Sequence, residues 1–124
     1  MPAAAILVVD DDDGVREVTT QMLLDEGFEV TSAGSAHAAR DLLARGERFA
    51  LIVLDFAMPD LDGVTAAGLI RAQRPDQPLL IITGYYPRGE DSPLGNGQQY
   101  LHKPFRQSEL MQAVRHLLDR GRSS

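Results

Sequence analysis

"AILVVDDDDGVREVTTQMLLDEG", residues 5 to 27, passes from an aliphatic run through four consecutive aspartates and a glycine into a helical pattern. An unbroken apolar run of this kind reads as a strand covered on both faces, as in a parallel sheet. Val15, Val18, Met22 and Leu23 then recur at helical spacing, and Gly27 supplies a stop. The stretch is therefore a strand, an acidic turn and a helix. Four neighbouring carboxylates oppose one another's ionisation, so whatever else meets them must relieve that repulsion.

The same alternation continues along the chain. "EVTSA" (29–33), "FALIVL" (49–54), "PLLIIT" (78–83) and "QYLH" (99–102) read as further strands. Between and after them, "SAHAARDLLARG" opens on Ser35 as an N-cap and closes at Gly46, "GVTAAGLIRAQRP" ends at Pro75, and "QSELMQAVRHLLDRG" carries Leu110, Met111, Val114, Leu117 and Leu118. Strand and helix alternating in this way predict a doubly wound α/β domain with a parallel sheet and right-handed crossovers. No repeat, low-complexity tract or linker divides residues 1–124, and "RGRSS" reads as a frayed end.

Composition narrows the function classes. With 124 residues, 44% hydrophobic and 24% charged, the chain suits one globular domain with a single core. No apolar run approaches the ~20 residues of a membrane span, and the start is too soon acidic for a signal peptide. A net charge of −6 argues against nucleic acid as a partner. The absence of cysteine removes disulfides and thiolate metal sites and suits a cytoplasmic location, so any metal is expected on oxygen ligands. Eleven of the twelve basic residues are arginine, leaving Lys103 as the single lysine.

In a doubly wound sheet, ligands bind beyond the carboxyl ends of the strands, where strand order reverses. Asp10 and Asp11 follow the first strand, Asp55 follows the third, Thr83 ends the fourth, and Lys103 follows the fifth. Carboxylates gathered there suit a hard cation such as Mg2+, which relieves their repulsion and keeps positions for other oxygen ligands. Thr83 and Lys103 add a hydrogen-bond donor and a point charge for a phosphoryl oxygen. Asp55 can serve as nucleophile, since carboxylates form aspartyl phosphates.

On these residues the chain resembles the receiver domain of two-component response regulators, over nearly its whole length. The resemblance implies a flavodoxin-like, five-stranded parallel sheet of order 2-1-3-4-5. It puts the acidic pair at Asp10 and Asp11, the phosphoacceptor at Asp55, the switch hydroxyl at Thr83, the aromatic switch residue at Tyr100 and the lysine at Lys103, followed by Pro104 and Phe105. Arg16, five residues after Asp11, fits the same register. It also implies Mg2+ held with help from the backbone carbonyl of Ala57, and a cis bond between Lys103 and Pro104. A histidine kinase or phosphotransfer protein would be the phosphodonor, with a downstream protein as the recipient of the signal. The domain itself would be a regulatory phosphoacceptor rather than an enzyme, a monomer or weak dimer that signals through surface contact, in trans or toward a further part of its chain.

Several residues also have plainer readings. Asp12 and Asp13 are expected as helix caps rather than ligands, because aspartate at a helix N-terminus satisfies free N–H groups and the dipole. Asp60 and Asp62 are read as loop and helix start, and His116 as the outer face of the last helix. His37, His102 and His116 are too scattered for a histidine metal site. A hydrolase of the haloacid dehalogenase type needs a second aspartate two residues after the nucleophile, where Ala57 stands. Calcium-loop spacing is missing, and four aspartates would repel a flavin phosphate. A receiver-like module that binds partners without phosphorylation is the other class consistent with these residues.

Two expectations mark departures from the family. The segment "GYYPRGEDSPLGNGQQ" (84–99) holds two prolines, four glycines and one aliphatic residue, so the usual fourth helix is expected to be degenerate or missing. Ala57 and Tyr85, at positions associated with phosphoryl lifetime in the family, offer no acid or amide to orient a water, which predicts slow self-dephosphorylation.

Overall fold

The computed structural model describes residues 4–57, 63–84 and 98–122. Five strands, β1 (Ala5–Val9), β2 (Glu29–Ala33), β3 (Leu51–Asp55), β4 (Leu79–Thr83) and β5 (Gln98–His102), form one parallel sheet of order β2-β1-β3-β4-β5. Among the described residues there are four helices: α1 (Asp13–Asp25), α2 (Ala36–Ala44), α3 (Gly63–Gln73) and α4 (Gln107–Arg122). This is the doubly wound arrangement expected from the sequence. The expected irregular loop in place of a fourth helix, with Tyr85 in it, lies almost wholly outside the described residues, though Gln98 and Gln99 belong to β5. Asp60 and Asp62 also lie outside them.

The apolar strands are covered on both faces. On one face Leu7, Val9, Ile52, Leu54, Leu79 and Ile81 pack with Ala36, Ala39 and Leu43 of α2 and Ala66, Ala67 and Ile70 of α3. On the other, Ile6, Val8, Leu51, Val53, Leu80 and Ile82 pack with Leu23 of α1 and with Leu110, Met111, Val114 and Leu117 of α4. Alternate side chains of each strand thus feed two cores, which is why these strands carry no polar alternation.

Helix ends follow the sequence signals. Asp12 caps α1, its carboxylate accepting from the Val15 N–H at 3.0 Å, and Ser35 caps α2 by accepting from Ala38. Gly27 and Gly46 both take φ of 92°, a conformation open to glycine. At each, the last turn closes with a paired bond set, Phe28 N–H to Leu23 O with Gly27 N–H to Leu24 O, and Glu47 N–H to Leu42 O with Gly46 N–H to Leu43 O.

The register of α1 differs from its sequence stripe. Thr19 and Leu23 are the buried residues of this helix, whereas Val18 is 56% exposed. The sheet meets α1 along that narrow line, and Val15 and Met22 flank it while Val18 faces outward beside Pro104 and Phe105. A second tie holds the far end of α1: Glu26 accepts from Arg115 of α4 at 2.9 Å and from Gln107 at 3.1 Å. Because Leu23 is fully buried and is the only large apolar side chain that α1 buries completely, Leu23→Ala is expected to cost about 3 kcal/mol in urea unfolding. A loss below ~1 kcal/mol would show that α1 is anchored elsewhere.

Candidate functional site

Parallel strands of one sheet end along one edge, and the order here sets β1 beside β3 and β4 beside β5. The switch point lies between β1 and β3, because successive connections run from it in opposite directions. Asp10 leaves β1 there. Asp55 is the last residue of β3 rather than the first after it, since its strand pairing persists opposite Ile82 and Phe56 N–H still donates to Ile82 O at 2.8 Å. Thr83 closes β4 in register with His102, and Lys103 N–H donates to Thr83 O at 2.9 Å.

Three carboxylates meet at this edge. One oxygen from each of Asp10, Asp11 and Asp55 lies within 4.8 Å of the others. Asp10 and Asp55 are only 4% and 7% exposed, whereas Asp11 faces solvent. The Lys103 ammonium approaches Asp55 Oδ1 at 3.4 Å, so the sole lysine is paired with the third carboxylate. Its backbone bond to Pro104 is cis, as the resemblance implied. Thr83, 2% exposed, stands at the adjoining strand end. Tyr100 is half-buried opposite Ile81 and packs against the core on the α2 and α3 side. Ala57, two residues beyond Asp55, is exposed.

Burial is the main force acting on Asp10. It pushes the carboxyl above its usual range, opposed by the Asp12 N–H that donates to Asp10 Oδ1 at 2.9 Å. Asp55 and Asp11 push it further up and Lys103 pulls it down. Three clustered acids with one ammonium are short of positive charge, and an oxygen-ligated dication fits that donor set.

The other two aspartates are otherwise engaged. Asp12 is the α1 cap, and Asp13 pairs with Arg16. The Arg16 guanidinium also donates to the Asp10 main-chain oxygen at 2.8 Å, a contact that sequence register alone did not disclose. Its only trace in the sequence is the i, i+3 spacing of Asp13 and Arg16. Sequence spacing likewise did not disclose the apolar cleft of about 570 Å³ beside Lys103, lined by Val15, Val18, Met22, Pro104 and Phe105. His116 lies exposed on α4, as expected.

A doubly wound sheet with an acidic cluster at its switch point defines a class of phosphoryl or cation sites. The family model described as "Response regulator receiver domain" matches residues 6–115. The chain belongs to that family. It is 40% identical over 119 residues to the response regulator protein FleR of Pseudomonas aeruginosa, covering 94% of this chain and a quarter (25%) of FleR. Among solved structures it resembles a CheY-like receiver domain protein from Methanospirillum hungatei, with a TM-score of 0.87, 30% identity and 98% coverage of each chain. It also resembles the response regulator TrrA of Thermotoga maritima, crystallised with Mg2+ and BeF, with a TM-score of 0.78, 30% identity, and coverage of 92% of this chain and 98% of TrrA. No helix among the described residues is long and apolar enough to cross a membrane.

The raised Asp10 carboxyl has a stability consequence. Its folded-state value lies above the unfolded one, so between the two the folded protein holds the extra proton. The contribution of this group to stability is present at low pH and is lost as pH rises through the raised value. In metal-free buffer at about pH 8, Asp10→Asn should therefore raise the melting temperature by roughly 3 °C, and the gain should shrink in a second, more acidic buffer as the carboxyl takes up its proton. Melting curves in chelator at the two pH values check this, and a lower melting point at the higher pH would count against it.

Proposed function

We propose that this domain is a phosphorylation switch in which Asp55 accepts a phosphoryl group from the phosphohistidine of a kinase or phosphotransfer protein. The observation that carries the reading is the Asp55 carboxylate, nearly buried yet set among Asp10, Asp11 and the Lys103 ammonium. A carboxylate oxygen of Asp55 would attack phosphorus as the P–N bond breaks, and the donor imidazole leaves with the electron pair of that bond. Asp10, Asp11 and Asp55, with the Ala57 carbonyl, would hold Mg2+, which when bound offsets the negative charge of the transferring group. The Mg2+ and BeF complex of the related TrrA supports that assignment.

The chain's own residues do the rest. Lys103 already sits against Asp55, so an acyl phosphate formed there places phosphoryl oxygens within its reach. Thr83 supplies a hydroxyl at the next strand end, and its carbonyl is bonded to the Lys103 N–H, so the two strand ends would move together. Tyr100, packed only partly into the core, would follow Thr83 and alter the surface around β4 and β5. A charge added at one carboxylate thereby becomes a change of shape that another protein can bind. We place this event in the cytoplasm and assign the domain no catalytic turnover on small substrates. The missing acid or amide at Ala57 and Tyr85 supports a long-lived phosphoryl group.

The apolar cleft beside the site supports a protein donor. Val18 is exposed on the rim of a cleft that runs to Lys103, Pro104 and Phe105, so a donor helix laid there would bring its histidine to Asp55. Incubation with Mg2+ and acetyl phosphate, read by intact mass, should add one phosphoryl group to the wild type and none to Asp55→Asn. Phosphate retained on Asp55→Asn sinks the assignment. In transfer from a phosphohistidine protein, Val18→Asp should lower the rate about tenfold, the equivalent of ~1.4 kcal/mol of contact, with the acetyl phosphate rate unchanged. Equal losses with both donors would place Val18's effect in the site and not in docking.

A further inference from the structure

The four aspartates at residues 10–13 raise a problem that cation binding alone does not solve. Two of them are read as ligands, and the next two in sequence add further negative charge beside them. The peptide from which Asp10 and Asp11 hang must also be held still at the end of a strand. Just beyond β1, Asp10 N–H still donates to Ala33 O of β2 at 3.1 Å. Beyond Ala33 the neighbouring chain turns away through Gly34 into the Ser35 cap of α2. It is Arg16 that bonds the Asp10 carbonyl, through Nη1 at 2.8 Å.

The same guanidinium takes Asp13 with its other arm, through Nη2. Its backbone N–H bonds Asp12 O at 2.9 Å, so the group springs from the first turn of α1 and reaches back over the acidic loop. The side chain is 22% exposed. It lies over Gly34, where a Cβ would stand 3.3 Å from Nη1. Arg16 therefore links three segments, the end of β1, the start of α1 and the turn after β2.

We infer that Arg16 is a positioning residue for the divalent-cation site, holding the Asp10 carbonyl and withdrawing Asp13 so that Asp10 and Asp11 present their carboxylates to the ion bound with Asp55. The inference rests on the reading of Asp10, Asp11 and Asp55 as that site. Its sign separates it from simple electrostatics. A guanidinium near a cation site repels the cation, so on charge alone its removal strengthens binding. Positioning demands the opposite, because partners that orient metal-ligating carboxylates commonly matter 10–100-fold in metal affinity.

The test is Mg2+ titration of the full chain by calorimetry, with amide chemical shifts as a second readout. Arg16→Ala is expected to weaken Mg2+ binding about tenfold. Arg16→Lys keeps the charge but lacks the two-armed geometry, and it should weaken binding in the same direction. Gly34→Ala leaves Arg16 in place and crowds Nη1, so a smaller loss is expected there; it also keeps the inference testable should Arg16→Ala fail to fold. Phosphorylation by acetyl phosphate should need proportionately more Mg2+ for half its maximal rate and regain the wild-type rate within about twofold at saturation. Arg16 variants that bind Mg2+ as tightly as the wild type, or more tightly, overturn the inference while leaving the site intact. A wild-type protein that binds no Mg2+ overturns the reading of the site and this inference with it.

Discussion

Two nearly buried carboxylates, Asp10 and Asp55, stand side by side where β1 and β3 end, and much of the molecule is arranged around that juxtaposition. Asp10 is the costly one of the two, because its burial and the like charges of Asp55 and Asp11 oppose its ionisation. The fold accepts the cost because the parallel sheet leaves no choice of place: with both faces covered by helices, its carboxyl edge is where side chains converge. Lys103 offsets part of the charge by pairing with Asp55. The remaining carboxylate charge is a donor set that a divalent cation could bind.

The acidic run then divides its labour by backbone geometry. Asp10 faces inward because it continues β1, and Asp12 faces the first turn of α1 because it is the cap. Asp13 is inside the helix and meets Arg16 one turn on. Four identical side chains in sequence thus acquire distinct roles from a change of direction over a few residues. The same loop that caps α1 also sets where Asp10 and Asp11 stand, so the helix cap and the acidic cluster share one short segment.

α1 has a similar economy. It buries Thr19 and Leu23 and packs the half-buried Met22 against the same core, together with the Glu26 tie to Arg115 and Gln107 at its far end. Val15, Val18 and Met22 also form an apolar wall with Pro104 and Phe105 immediately beside Lys103. Exposed apolar surface beside a polar edge is the kind of surface that marks interaction sites in proteins. The chain belongs to the receiver-domain family and spans only 25% of the length of FleR.

The elements themselves were legible in the residues. The stretches read as strands at 5–9 and 29–33 coincide with β1 and β2, and Ser35, Gly27 and Gly46 mark helix ends for local reasons of hydrogen bonding and φ. Asp10, Asp11, Asp55, Thr83 and Lys103 could be read as one edge because strand ends in a doubly wound sheet share it. Three features needed the third dimension. Asp55 lies inside β3 because its pairing with β4 extends one residue further, which depends on strand register. Val18 of the predicted stripe turned outward because the burial line of α1 is set by where β1, β3 and α4 leave room, and helical spacing cannot distinguish one apolar face from another. The grip of Arg16 on the Asp10 carbonyl is a side-chain to backbone bond made across a turn, and a carbonyl leaves no mark in a sequence; only the folded chain, with β2 turning away at Gly34, decides that this arginine meets it there.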